Sequence, residues 1–428
     1  MSQPAEARQT DREILGWIRS RYVVLVAAFF AMFVISPYEY AFSSISGPIS
    51  NYYHWTQPQV ALMFTLFVIL ESIGTLPGGI LVDKYGLRVP TIIGALVGGL
   101  GIFGVALGPN YTLVLVLWCI GSFFAGFIYN SAVTVANKWF PDRRGVVAGL
   151  IAGSFSWGSI PFVFPILGLP RTAPISTFFN VLYAMAALIT IVPIVAGVFM
   201  KSPPRGWLPA AFMPKVKAIK RPSEHQYTFG QTLSTWQMWI LVGSFILISS
   251  AGLAGVANMV AYSVSFGFSA LGAVFAVQSL NVANGLGRLG MGASSERLGR
   301  ENAMIISYIL TGIFLFVSVL AGNLKNDSLF VIAVALATFF WGPLFSLFPT
   351  IIGHYYGEVT AGSNYGLLYA IAKGSGGIYG GVLFTLLTLT GGYPYAMSIS
   401  GVMAVVAGLL IIPLKFAPPV WKEKAAKS

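Results

Sequence analysis

The amino-acid sequence predicts an all-α integral membrane protein in which twelve transmembrane helices form two bundles of six. Hydrophobic residues make up 56% of the 428 residues and charged residues only 9%, whereas an ordinary soluble domain carries about 25% charged residues. Apolar runs of roughly 20 residues, long enough to span a bilayer as helices, recur along the chain. They lack the alternating pattern of barrel strands. A short motif also repeats about half a chain length apart.

The twelve predicted spans are numbered in chain order. They begin near Tyr22, Gln57, Val89, Tyr111, Gly145, Ser176, Trp236, Leu271, Asn302, Leu329, Gly362 and Tyr393. Span 1 follows a polar, arginine-bearing head without a small-residue cleavage site, so we expect a retained helix and not a signal peptide. The longest polar stretch, which contains five prolines, predicts a central loop at 201–234. This loop would separate an N-terminal bundle (1–200) from a C-terminal bundle (235–428).

The net charge of +12 follows the predicted topology. Lysine and arginine cluster before span 1, after spans 2, 4 and 8, in the central loop and after span 12, whereas the intervening loops contain only Arg171 and Lys325. Because basic loops stay on the cytoplasmic side, both termini and the central loop are predicted to be cytoplasmic. The short loops and the absence of disulfides fit a prokaryotic inner (plasma) membrane. The positive net charge therefore does not indicate that the protein binds nucleic acid. The expected surroundings are the lipid bilayer, and we expect a monomer.

The sequence has no pattern that indicates catalysis, a metal or a cofactor. The single Cys119 excludes a disulfide within the chain, and His54, His225 and His354 lack the spacing of metal ligands. Neither a Walker motif nor a nucleophile–base arrangement occurs. The glycines of 285–290 match a dinucleotide-binding pattern, but they lie inside a membrane helix and follow no strand. We therefore predict that the protein is not an enzyme and uses no cofactor.

Two cations lie where a membrane disfavours them. Arg288 is in span 8 and Lys373 in span 11, and a charge near the bilayer centre costs several kcal/mol. Arg288 precedes Glu296, at the end of span 8, by eight residues, or roughly 12 Å of helix. Two buried cations match the two charges of a small dicarboxylate, and the arginine fork suits a carboxylate; the alternative is a structural ion pair with a buried acid. Asn284 and Tyr369 each lie one turn before a cation and share its face.

A charged loop motif follows span 2 and recurs after span 8. The pattern is glycine, three residues, an acid, a base, any residue and glycine. The charged residues concerned are Asp83, Lys84 and Arg88 in the first copy, and Glu296 and Arg297 in the second. The motif resembles the signature of the major facilitator superfamily. An acid at a helix end can pair with a base or a helix N-terminus of a neighbour, so these residues are predicted to act in gating, by latching one transport conformation.

Further segments are similar to the oxalate:formate antiporter family. They comprise residues 137–145 after span 4, 284–288 in span 8, 339–349 in span 10 and 364–373 in span 11. The resemblance covers nearly all twelve spans. It implies the major facilitator fold and the exchange of small carboxylates, such as oxalate and formate, by alternating access. It also implies that Arg288 and Lys373 bind the substrate carboxylates.

The same resemblance implies an aromatic cage around the anion. The matching positions are Tyr40, Tyr129, Phe155, Trp341 and Phe345. The family has tyrosines where this sequence has Phe155 and Phe345. Two hydroxyl donors are therefore missing, and we expect a shift toward a larger or less polar substrate.

Two acids complicate the predicted anion site. Glu39 in span 1 stands where the family has a glutamine, and Glu71 lies in the middle of span 2. Buried carboxylates tend to take up a proton or to pair with a base. Glu39 is therefore predicted to carry a coupling proton or to compete with substrate for the cations, unless it reaches the interface from a span end. Protons are thus a candidate partner, and the alternative function is a proton-coupled symporter for a monocarboxylate such as lactate or pyruvate.

Overall fold

The computed structural model of the chain describes residues 5–140, 142–168, 174–203, 227–356 and 361–417, whose regular secondary structure is helical throughout. In spans 1 to 6 the helices are Ala5–Ile35, Pro37–Tyr40, Phe42–Tyr53, Gln57–Tyr85, Arg88–Gly98, Leu100–Ala106, Tyr111–Trp139, Arg144–Trp157, Ile160–Leu167 and Ile175–Phe199. After the short helix Phe229–Leu233, spans 7 to 12 comprise Trp236–Ser265, Ala270–Leu298, Arg300–Asn323, Asp327–Trp341, Leu344–Tyr356, Ala361–Ile378, the π-helix Tyr379–Leu383 and Phe384–Phe416.

Ten segments of the described chain are long and apolar enough to cross a membrane. One of them, Tyr365–Phe416, holds both span 11 and span 12, which are separated at Gly392, where φ is 77° and ψ is 172°. The helix Ala270–Leu298 has the length of a span, at 29 residues, but is more polar. The predicted start of each span lies within two residues of the start of a helix, the start of a membrane segment or the break at Gly392. The prediction of an all-α membrane protein is confirmed.

Span 1 bends beside the two cations. The bend follows Ser36, where the short helix Pro37–Tyr40 begins with a proline, which has no N–H for the preceding turn. Span 5 breaks at the same level, and the hydroxyls of Ser36 and Ser159 hydrogen-bond at 2.7 Å. All four residues of Pro37–Tyr40 are buried. The bend therefore places Glu39 and Tyr40 inside the protein.

Span 11 packs against two other spans through two pairs of glycines. Gly377 and Gly381 face span 2, where the hydroxyl of Thr65 donates a hydrogen bond to the carbonyl of Gly377 at 3.1 Å. Gly376 and Gly380 face span 7. A methyl group at any of the four would collide with the neighbouring helix, so glycine permits this close approach. The division into two bundles with a central loop remains a prediction, and most of that loop lies outside the described residues.

The two copies of the repeated motif form the same kind of turn. Gly86 follows the end of span 2 with φ of 80°, and Gly299 follows the end of span 8 with φ of 83°. Residues other than glycine rarely adopt this backbone conformation. The shared glycine of the pattern is therefore required by the turn in both copies.

The charged residues of the first copy contact neighbouring spans. Asp83 forms an exposed ion pair with Lys138 of span 4 at 3.5 Å, which is the acid–base pairing expected of the motif. Arg88 donates a hydrogen bond to the carbonyl of Val198 in span 6 at 2.6 Å. In the second copy, the side chain of Glu296 lies outside the described residues. The gating role of both copies remains a prediction.

Candidate functional site

Lys373 lies at the centre of a buried cluster of ion pairs. Its Nζ atom is 2.9 Å from Oε2 of Glu39 in span 1 and 2.9 Å from Oε2 of Glu71 in span 2. It donates hydrogen bonds to Glu71 and to the hydroxyl of Tyr369, whereas the Glu39 oxygen lies off the hydrogen-bonding direction. Glu39, Glu71 and Lys373 are each 0% exposed. An interfacial position for Glu39 is therefore wrong, and the expectation that a buried acid pairs with a cation holds at Lys373.

The cluster around Lys373 contains two acids and one base. With both carboxylates ionised, it carries one excess negative charge. Besides Lys373, the hydroxyl of Tyr369 donates to Oε1 of Glu71 at 3.4 Å. Arg288, which contacts the same Phe345 ring, offsets this charge only from a distance, and a single bound proton would remove it locally. The arrangement can therefore bind a proton.

Arg288 is as deeply buried, at 1% exposure, but has no acid partner. Its Nη1 atom donates to the carbonyl of Ala152 in span 5, and Nη2 donates to the hydroxyl of Tyr40 in span 1, both at 2.7 Å. Nε has no hydrogen-bond partner. In the part of the chain that the structure describes, no carboxylate lies within ion-pair distance of this guanidinium. The excess negative charge of the Lys373 cluster offsets this guanidinium only from a distance, so Arg288 is suited to bind an anion in direct contact.

Aromatic rings surround both cations. The ring of Phe345 in span 10 is shared, because its centroid lies 4.4 Å from Cζ of Arg288 and 5.7 Å from Nζ of Lys373. Three further centroids lie 5.2 to 5.5 Å from Nζ of Lys373, those of Tyr129, Phe155 and Tyr369. The negative faces of such rings attract cations. The structure thus brings most of the predicted cage together.

Asn284 and Trp341 contact the residues that in turn contact the cations. The hydroxyl of Tyr40 donates to Oδ1 of Asn284 at 3.3 Å, which links Asn284 to Arg288 through Tyr40. Trp341 packs edge-on against Phe345 with ring centroids 5.6 Å apart. Its indole N–H donates to a backbone carbonyl of span 7 at 2.8 Å. Trp341 therefore supports Phe345, and its N–H is already engaged.

Two groups in this region were not among the predicted site residues. Glu71 is the partner best aligned with Lys373, and its signal in the sequence is an acid in the middle of an apolar span. The carbonyl of Ala152 accepts from Arg288. A backbone carbonyl carries no sequence signal, because every residue has one.

Comparison with known proteins agrees with this architecture. The sequence profile of the Major Facilitator Superfamily matches residues 24–381. The oxalate:formate antiporter of Oxalobacter formigenes is 26% identical over 425 residues, which cover 99% of this chain and 97% of that protein. The uncharacterized MFS-type transporter YhjX of Escherichia coli (strain K12) is 26% identical over 357 residues, with 82% and 84% covered. An uncharacterized 38 kDa protein in the 23S RNA operon of Thermoproteus tenax is 27% identical over 376 residues, with 87% and 88% covered.

Proposed function

Because the chain belongs to the Major Facilitator Superfamily, we propose that it is a secondary transporter that exchanges small carboxylates, of the oxalate and formate type, by alternating access. The observation that carries this proposal is the buried guanidinium of Arg288, which has hydrogen-bond partners but no countercharge among the described residues. The arginine fork matches a carboxylate, to which it donates two parallel hydrogen bonds. The similarity to the Oxalobacter formigenes antiporter supports the same substrate class.

The contacts of the two cations suggest how a substrate would engage them. A first carboxylate group would bind Arg288 and neutralise it. A second group would compete for Lys373 with Glu39, whose contact lacks hydrogen-bond geometry, while Glu71 keeps its hydrogen bond. Neutralising a buried charge lowers the energy needed to move it through an apolar interior. A substrate-free carrier would resist that movement, which favours obligatory exchange over leak.

Counterflow in liposomes tests the proposal. The full chain would be reconstituted with unlabelled oxalate inside and labelled oxalate or formate outside. We expect label to accumulate only when a carboxylate is present inside. Arg288→Lys keeps the charge but loses the fork, and it should reduce uptake roughly tenfold to hundredfold. Arg21→Lys is the matched control, because Arg21 is a buried arginine outside the site, paired with Asp142.

The counterflow experiment has clear contrary outcomes. A wild-type protein that takes up no carboxylate would overturn the proposed function. Equal losses in the Arg288 and Arg21 variants would show that the fork of Arg288 has no special role. Both variants are compared at equal amounts of folded protein in the vesicles, because either substitution can also affect stability.

Proton-coupled symport of a monocarboxylate such as lactate or pyruvate is the second candidate. The observation in its favour is that Glu39 and Glu71 both neutralise Lys373. This leaves one cation for the substrate and an acid pair for a proton. An inward proton gradient should then drive lactate uptake into vesicles that contain no substrate, with oxalate inert. Uptake that does not respond to the gradient and occurs only when a carboxylate is present inside would exclude symport and retain exchange.

A further inference from the structure

A group of polar side chains near Arg288 is buried without hydrogen-bond partners. The atoms concerned are Oγ of Ser43, Oγ of Ser44, Nδ2 and Oδ1 of Asn281 and Nδ2 of Asn284. All four side chains are at most 2% exposed. An unsatisfied buried donor or acceptor costs about 1–3 kcal/mol, and native proteins keep only a few. Five such atoms in two neighbouring spans therefore need an explanation.

In span 8 the unsatisfied amides share a helix face with Arg288. Asn281, Asn284 and Arg288 stand at positions i, i+3 and i+7 of the helix Ala270–Leu298, which places them on one side of it. Asn281 lies one turn beyond Asn284, about 4.5 Å further along the helix axis and away from Arg288. A polar stripe thus extends from the guanidinium along span 8.

In span 1 the two serines lie at a matching level. Tyr40 donates to Asn284 at 3.3 Å, and this hydrogen bond fixes the level at which the two spans meet. Ser43 and Ser44 follow Tyr40 by three and four residues, or about one helical turn. Because spans 1 and 8 run in opposite directions across the membrane, both serines and Asn281 lie on the same side of the Tyr40–Asn284 contact. Both helices therefore carry unsatisfied groups at about the same level.

This group is named the outer subsite, and its members are Ser43, Ser44, Asn281 and Asn284. We propose that the outer subsite binds an uncharged hydroxyl or carbonyl oxygen of the substrate while Arg288 holds the carboxylate. Hydroxyl and amide groups both donate and accept hydrogen bonds. None of them is charged, so they suit a neutral oxygen better than a second carboxylate. The inference rests on the proposed function and predicts that, among carboxylates, those that also carry such an oxygen bind more tightly.

Two acids that differ by one hydroxyl provide the test. Lactate and propionate have the same charge and carbon count, and each would compete with a labelled carboxylate in counterflow by the full-length protein. We expect lactate to compete about tenfold better than propionate, as one added hydrogen bond allows. Asn281→Leu should bring the ratio of the two inhibition constants close to one by weakening lactate, because propionate has no group that reaches the outer subsite. The substitution should not lower the melting temperature, because leucine removes an unsatisfied amide.

Two serine variants complete the experiment. Ser44→Ala is a milder change in the outer subsite and should also reduce the preference for lactate. Ser307→Ala is the matched control, because Ser307 is a fully buried serine of span 9 whose hydroxyl likewise lacks a partner. If both subsite variants keep the wild-type ratio, the outer subsite is wrong while carboxylate transport stands. If no carboxylate competes at all, the proposed function is wrong, and the proposal of an outer subsite is wrong as well.

Discussion

The ammonium group of Lys373 donates a 2.9 Å hydrogen bond to Glu71, although the two residues lie 302 positions apart in the chain. This contact joins span 11 to span 2 at the level where Gly377 and Gly381 bring the two helices together. Glu39 adds a second ion pair from span 1. The stability of this part of the protein and its response to protons should therefore depend on the same three side chains.

Lys373→Gln should destabilise the protein by about 3–5 kcal/mol, because two buried carboxylates lose their countercharge. In the variant, the folded protein must hold protons that the unfolded chain releases, so stability should fall further as the pH rises. Thermal unfolding in detergent, measured from acidic to neutral pH, checks both effects. Adding Glu71→Gln should recover part of the loss. A double variant no more stable than Lys373→Gln alone would contradict the ion-pair explanation.

Glu39→Gln should flatten the pH dependence of carboxylate uptake. With one acid removed, the remaining Lys373–Glu71 pair is neutral without a bound proton. Glu71→Gln should flatten it as well but lower the melting temperature more, since Glu71 alone is hydrogen-bonded to both Lys373 and Tyr369. Uptake is measured against external pH, and melting temperatures are compared in parallel. An unchanged pH profile in both variants would rule out this acid pair as the proton site.

Gly381→Ala should slow transport and lower stability by about 1–3 kcal/mol. A methyl group there would overlap the hydroxyl of Thr65 and the backbone of Ala61 in span 2. Gly374→Ala in the same span is the control, because the nearest atom lies 4.0 Å from its added carbon. Alanine favours helix over glycine by about 1 kcal/mol, so the control should be neutral or slightly stabilising. Equal effects of the two substitutions on uptake and melting temperature would argue against the close-packing role.

Asp83→Asn should reduce the transport rate several-fold without changing the half-saturating substrate concentration. The pair with Lys138 is exposed, so its loss should alter stability by no more than about 1 kcal/mol. A rate effect without a stability effect is expected of a conformational latch. Asp327→Asn is the control, because Asp327 is an exposed acid outside the repeated motif. A wild-type rate in Asp83→Asn, or the same loss in the control, would refute the gating role.

The helices of this protein were predictable because a bilayer allows so few alternatives. Backbone groups in lipid must be satisfied within each span, so apolar runs of sufficient length become helices. The bend at Pro37 and the break at Gly392 also arise from the local sequence, through a proline and a glycine. The cage positions came from family resemblance, and the structure places the rings of Tyr129, Phe155 and Phe345 around Lys373. Their roles in substrate binding remain predictions.

By itself, the sequence determined that two cations would be buried in membrane helices, since Arg288 and Lys373 interrupt long apolar runs. Only the tertiary structure decided that they differ. Lys373 is neutralised by Glu39 and Glu71, whereas Arg288 meets a hydroxyl and a carbonyl but no acid among the described residues. The physical reason is that Coulomb attraction depends on the distance between charges. That distance is set by how spans 1, 2, 5, 8 and 11 pack, and not by the separation of residues along the chain.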